Sequence, residues 1–173
     1  MDLQYDLPLF GGIAFPNRFP SPFPRRPVML ASILQNDTAR REAGIGLLRI
    51  SLGVMFLAHG LILKVMTFTL AGTAAFFVSL GLPAWTAYAT AGAEIIGGAL
   101  LILGLFTRPV ALALTPILLG ALVVHSGNGW VFSAANGGWE YPLYLAVLSL
   151  AQALLGTGAF AVSFGSNART VTA

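Results

Sequence analysis

The chain has 173 residues, of which 57% are of the AVILMFWYC type and only 9% are charged, against roughly a quarter charged in an ordinary soluble domain. Together with a mean hydropathy of +0.83, this excludes a water-soluble globular protein and predicts an all-α, polytopic integral membrane protein whose length allows one compact bundle. The absence of cysteine removes thiolate nucleophiles, CxxC redox chemistry, iron–sulfur clusters and zinc–cysteine sites, and a net charge of only +3, with no single basic stripe, gives no footprint for nucleic acid.

Nine of the fifteen charged residues precede Ile45, and residues 8–27 hold six prolines. Prolines remove backbone donors and disfavour helix in the residue before them, so residues 1–44 are expected to form a disordered, Pro-rich leader. The short apolar run at 28–34 is not followed by an A-x-A site, and Arg25-Arg26 lacks the rest of a twin-arginine signal. Met29 offers an alternative start, which the intact mass of the native protein would reveal.

Four apolar spans follow, at 45–63, 84–106, 109–126 and 141–162, within a domain bounded at 45–163 and followed by a flexible tail at 164–173. Each span approaches the roughly twenty residues that cross about 30 Å of hydrocarbon. Arg108-Pro109 makes spans two and three an antiparallel hairpin, and Pro116 should kink span three. Leu70, Phe76, Phe77, Leu80 and Leu82, set among small and hydroxyl residues, predict a short interfacial helix between spans one and two. Before span four, Trp130 and Trp139 suit interface anchors. Arg40, Arg41, Arg108 and Arg169 fall on one side of the membrane and Lys64 on the other, which makes the protein multi-pass with both termini cytoplasmic.

Ionisable groups at membrane depth need a partner or a task. Arg49 in span one and Glu94 near the middle of span two are expected to pair, across an axial offset of roughly 7 Å counted from the external span ends. Such a pair can be purely structural or can mark a ligand or proton site. Gly53 and Gly60 share the Arg49 stripe and Gly98 the Glu94 stripe, with Gly97 beside it, so these glycines are expected to pack helices closely. His59, Lys64, His125 and Glu140, joined by Asn128, Asn136 and Trp139, are candidates to line a polar pocket above Glu94. His59 and His125 could instead ligate a haem, or a metal with Glu140, although a satisfied interfacial histidine is the commoner fate. No metal site is assigned. Gln152 is expected to hydrogen-bond another helix. No phosphate loop, Ser-His-Asp order or HExxH occurs.

Six stretches carry a resemblance when taken in order: Arg49-x-x-x-Gly53, Phe56-Leu57-Ala58-His59-Gly60 with Lys64, Ser79-Leu80-Gly81-Leu82-Pro83, Glu94-Ile95-Ile96-Gly97-Gly98, Gly104-Leu105-Phe106-Thr107-Arg108, and Asn136-Gly137-Gly138-Trp139-Glu140-Tyr141-Pro142-Leu143. Over residues 43–162 the chain resembles the DoxX family of small bacterial membrane proteins. It departs from many relatives in one spacing, with three residues rather than two between Gly60 and Lys64. The resemblance implies a four-helix bundle in the bacterial cytoplasmic (inner) membrane, associated with membrane redox complexes and oxidative-stress defence, and makes Arg49, His59, Gly60, Lys64, Glu94 and Glu140 the positions to carry over. The function expected is a quinone-associated or partner-docking subunit of a membrane oxidoreductase, its electrons supplied by a membrane or peripheral redox enzyme. The alternatives are a small proton-coupled transporter working as a homo-oligomer, for which no inverted repeat is visible, and a scaffold without a small ligand.

Overall fold

The computed structural model describes residues 36–163; the expected leader before Asn36 and the tail after Ser163 lie outside the described residues. The described chain is helical, without strands. Helix α1 spans Asp37–Leu57 and runs directly into a π-helical segment, Ala58–Thr67. Helix α2 (Leu70–Ser79) follows, then α3 (Trp85–Leu103), α4 (Thr107–His125) with a short 3-10 turn after it, and α5 (Glu140–Leu155).

The first helix begins eight residues before the boundary expected at Ile45. Asn36 explains the start, because its side-chain oxygen accepts from the backbone N–H groups of Thr38, at 2.9 Å, and Ala39, at 3.3 Å. The continuous helix covers 31 residues, longer than the roughly twenty that a bilayer core requires, so a polar first turn extends beyond the apolar stretch. Helix α2 occupies the connection where a short helix was expected. Pro116 lies inside an unbroken α4.

The fourth span differs from expectation. Helix α5 has 16 residues and stops at Leu155, where Gly156 takes φ 93°. Residues 156–163 then fold back across the end of the bundle as a strap: Ala159 N–H donates to Glu42 O at 2.8 Å and Val162 N–H to Leu103 O at 2.9 Å. Gly158 and Ala159 lie against Ile45 and Gly46 of α1 and Ala161 against Gly104 after α3, while Phe160 and Val162 stay exposed.

Two helix pairs build the bundle. Helix α1 packs most extensively on α3, and α4 on α5, with fewer contacts between the pairs. Gly53 and Gly98 bring the first pair together; a Cβ on Gly53 would stand 2.7 Å from Gly98 O, and one on Gly98 would stand 2.7 Å from Gly53 O. In the second pair Ser149 Oγ donates to Ala111 O at 3.0 Å. Leu52, Phe56, Leu101, Leu114, Leu118 and Leu145 form the shared core. Outward positions such as Val54, Ile96, Leu112, Val123 and Leu154 are exposed and apolar, the surface of a chain whose solvent is lipid. Three of the helices are long and apolar enough to cross a membrane.

Candidate functional site

Glu94 is buried, 4% exposed, and its partner is Lys64. The ammonium lies 2.8 Å from Oε1 and 2.7 Å from Oε2. Arg49, expected to pair with this carboxylate, instead donates to backbone: Nη1 to Leu101 O at 2.8 Å and Ile102 O at 3.1 Å, and Nη2 to Ala159 O at 2.8 Å.

Helix geometry accounts for the exchange. The antiparallel register that sets Gly53 against Gly98 also sets Gly60 against Ala91 and Glu94, so the Arg49 Cα falls about 12 Å below Glu94 along the axis, at 1.5 Å per residue. Cα–Cβ bonds tilt toward a helix N-terminus. Arg49 therefore leans away from Glu94, toward the C-terminal carbonyls of α3, whose partial negative charge suits a cation. Lys64 leans back toward Glu94, and Glu94, on the antiparallel helix α3, leans toward Lys64. Gly60 makes room for the meeting: a Cβ there would stand 2.9 Å from Glu94 Cβ. Gly97 faces the other pair, where a Cβ would stand 2.8 Å from a Leu114 methyl.

The π-helix also contributes. Its i→i+5 bonding accommodates an additional residue in a helix without breaking it, and Ala58–Thr67 contains the longer Gly60-to-Lys64 spacing. A spacing of four leaves Lys64 on the Gly60 face in the π-helical segment as it would in an α-helix. Thr73 of α2 ties to the same segment, its Oγ1 donating to Lys64 O at 3.0 Å.

Cavities surround the ion pair. One of about 350 Å³ lies between the helix pairs, with Lys64, Glu94, His59, Phe56, Tyr141 and His125 in its wall. A second, about 400 Å³, reaches Lys64, Glu94 and His125 from beneath Phe76 and Phe77 of α2. A third, about 530 Å³, is bounded by His59, Lys64, His125 and the inner side of α2. The walls are otherwise mainly apolar. His59 stacks on Tyr141 with ring centroids 6.1 Å apart and planes 26° from parallel.

The site thus unites His59, Lys64, Glu94 and His125 but not Arg49 or Glu140. Arg49 lies at the strap end, fully buried. Glu140 accepts from Phe132 N–H at 2.8 Å and braces the loop before α5, lining a separate aromatic groove with Trp130 and Tyr144. Asn128 serves that loop too, donating to Asn136 O and Gly137 O, while Trp139 stands edge-on to Trp130 at 4.4 Å. Gln152 donates to Gly156 O at 2.6 Å, within its own chain end, not to another helix. Sequence reasoning missed Tyr141 and the Phe76-Phe77 pair as wall residues. Tyr141 carried a signal, since it begins span four at the depth of His59.

The DoxX family profile matches residues 44–127, and so stops before the stretch 136–143. No solved structure matches. The protein named "Putative oxidoreductase CatD", from Bacillus subtilis (strain 168), is 36% identical over 117 residues, covering 67% of this chain and 81% of that protein. At that identity and coverage, and with the family profile resting on the helices that carry Arg49, His59, Lys64 and Glu94, the chain belongs to the DoxX family.

Proposed function

We propose that the chain is a quinone-binding, partner-docking subunit of a membrane oxidoreductase. The observation that carries this reading is the Lys64–Glu94 pair set in the wall of apolar cavities between two helix pairs. A quinone headgroup needs hydrogen-bond donors near its carbonyls and a protonatable group close by, with an apolar slot for its tail. Lys64 spends two hydrogen bonds on Glu94 and has a third N–H to offer; Glu94 can hold a proton; Phe56, Phe76 and Phe77 supply apolar walls. A quinone, when bound, would supply the electron-accepting chemistry, and this chain's residues would orient it and exclude water.

The oxidoreductase name of the Bacillus relative agrees with a redox setting. The sequence contains no cysteine to carry electrons, so electrons would arrive from a partner enzyme docked at the membrane. The distribution of Arg40, Arg41 and Arg108 supports a place in the bacterial cytoplasmic membrane with both termini inside.

The test is purification of the full chain from its native membrane in mild detergent, followed by quinone extraction and mass spectrometry. Quinone retained near one per chain, and lost in the Lys64→Met/Glu94→Gln double variant, supports the reading; no quinone with the wild-type chain overturns its ligand. A flavin-, haem- or sulfur-transfer enzyme present in stoichiometric amount supports the docking role, and a lone homo-oligomer counts against it.

A further inference from the structure

Both cavity histidines are held in one orientation by backbone carbonyls. His59 Nδ1 lies 2.9 Å from Met55 O; His125 Nδ1 lies 3.0 Å from Asn136 O and 3.1 Å from Gly137 O. A carbonyl oxygen offers only lone pairs, so each contact is a hydrogen bond only when Nδ1 carries the hydrogen. The Asn128 amide nitrogen, 3.4 Å from His125 Nδ1, does not alter the assignment, because it donates at shorter range to the same two carbonyls.

A neutral imidazole with its hydrogen on Nδ1 has a lone pair on Nε2. Among the described residues, the hydrogen bonds of both rings run through Nδ1 alone. Both rings line the cavities beside Lys64, and the charge of Lys64 is already balanced by Glu94. The polar part of the wall therefore presents the Lys64 ammonium and the Tyr141 hydroxyl as donors and, beside the Glu94 carboxylate that Lys64 already engages, two imidazole acceptors.

Resting on the quinone reading above, we infer that His59 and His125 are specificity-determining residues that make the site favour the reduced, dihydroxy form of its ligand. A ring hydroxyl donates to an Nε2 lone pair; a ring carbonyl in the same place sets lone pair against lone pair and is left unsatisfied in an apolar wall, where an unmade hydrogen bond is costly. Lys64 serves either form, since a hydroxyl oxygen and a carbonyl oxygen both accept. The preference thus arises at the histidines, and it concerns binding alone.

The experiment titrates the full wild-type chain in nanodiscs with a short-tailed ubiquinone and, under anaerobic reducing conditions, the matching ubiquinol. Quinol should bind about tenfold more tightly, the scale of one satisfied against one unsatisfied hydrogen bond. His59→Asn and His125→Asn retain an amide N–H where Nδ1 stands and delete the Nε2 acceptor. Each should weaken quinol binding by about three- to tenfold and leave quinone binding within about twofold. Equal wild-type affinities, or variants that weaken both forms alike, overturn the inference while leaving the quinone site intact. Failure of both forms to bind the wild-type chain instead removes the site reading on which the inference rests. The wild-type comparison needs no variant to fold.

Discussion

Lys64 and Glu94 depend on each other energetically. Removing one member of a buried pair strands the other, at about 3–5 kcal/mol for a fully enclosed pair, whereas replacing both with apolar or neutral groups of similar size is often nearly neutral. Lys64 keeps 18% of its side chain exposed, so Lys64→Met and Glu94→Gln should each cost about 2–3 kcal/mol, somewhat less than a fully enclosed pair. The double variant should unfold at a higher temperature than either single one in the same detergent. Additive losses would mean that the two groups are not coupled. Arg49 obeys a different rule, because its guanidinium is balanced by carbonyls of two separate segments. A lysine has the charge but not the planar fork that reaches Leu101, Ile102 and Ala159 together. Arg49→Lys should therefore lower stability by about 2–3 kcal/mol and make the chain after Leu155 more sensitive to limited proteolysis. Loss of global stability with an unchanged cleavage pattern would contradict the strap assignment. The sequence singles out Arg49, Lys64 and Glu94, but the expected cation for Glu94 is Arg49, whereas the structure pairs it with Lys64. Counting from span ends leaves out the register that Gly53 and Gly98 set and the backward tilt of helical side chains, which turns Arg49 away from Glu94 and Lys64 toward it.

At the scale of elements, hydropathy located the helices because apolar runs long enough to span a bilayer have few alternatives. What hydropathy could not locate was where an apolar run stops being helix. Residues 156–163 look like a continuation of α5, yet Gly156 and the fit of Gly158 against Gly46, where a Cβ would meet backbone nitrogen at 2.5 Å, turn them into a strap. The π-helix was equally hidden, since its composition is that of any apolar helix, and only the spacing of Gly60 and Lys64 signalled it. That spacing makes a test. Ile62 is exposed, at 52%, and its deletion removes one residue from Ala58–Thr67 without taking a wall residue. If the segment is π-helical because it holds an extra residue, the deletion should relax it to α-helix and leave Lys64 on the Gly60 face, at a spacing of three. The variant should then elute and unfold like the parent, within about 1 kcal/mol, a loss that ordinary surface changes stay below. In a strictly α-helical segment the same deletion would turn every later side chain by about 100°, break the Glu94 pair and destabilise the protein severely.

As a whole the molecule is asymmetric along its long axis. At one end the Arg49 fork and the strap bind α1, α3 and the chain after α5 into a closed base. At the other, the two helix pairs enclose the Lys64–Glu94 cavities, with α2 along one side. The base also carries Arg40, Arg41 and Arg108; in the orientation proposed above, the positive-inside rule would put it in the cytoplasm and open the cavity end toward the outer face. A ligand entering from the lipid would then meet the ion pair in the outer half of the bilayer, and its tail could remain among the exposed apolar side chains. The chain has no cysteine, which makes the orientation directly measurable. Arg41→Cys, in the exposed first turns of α1, and Ala135→Cys, in the exposed loop before α5, lie at opposite ends and leave the site untouched. In intact cells a membrane-impermeant maleimide should modify Ala135→Cys at once and Arg41→Cys only after permeabilisation. The reverse pattern would invert the topology, turning the base outward and the ion pair toward the cytoplasm, and any partner enzyme would then have to be sought at the cavity end. Labelling of both variants in intact cells would contradict a chain that crosses the membrane with these two points on opposite sides.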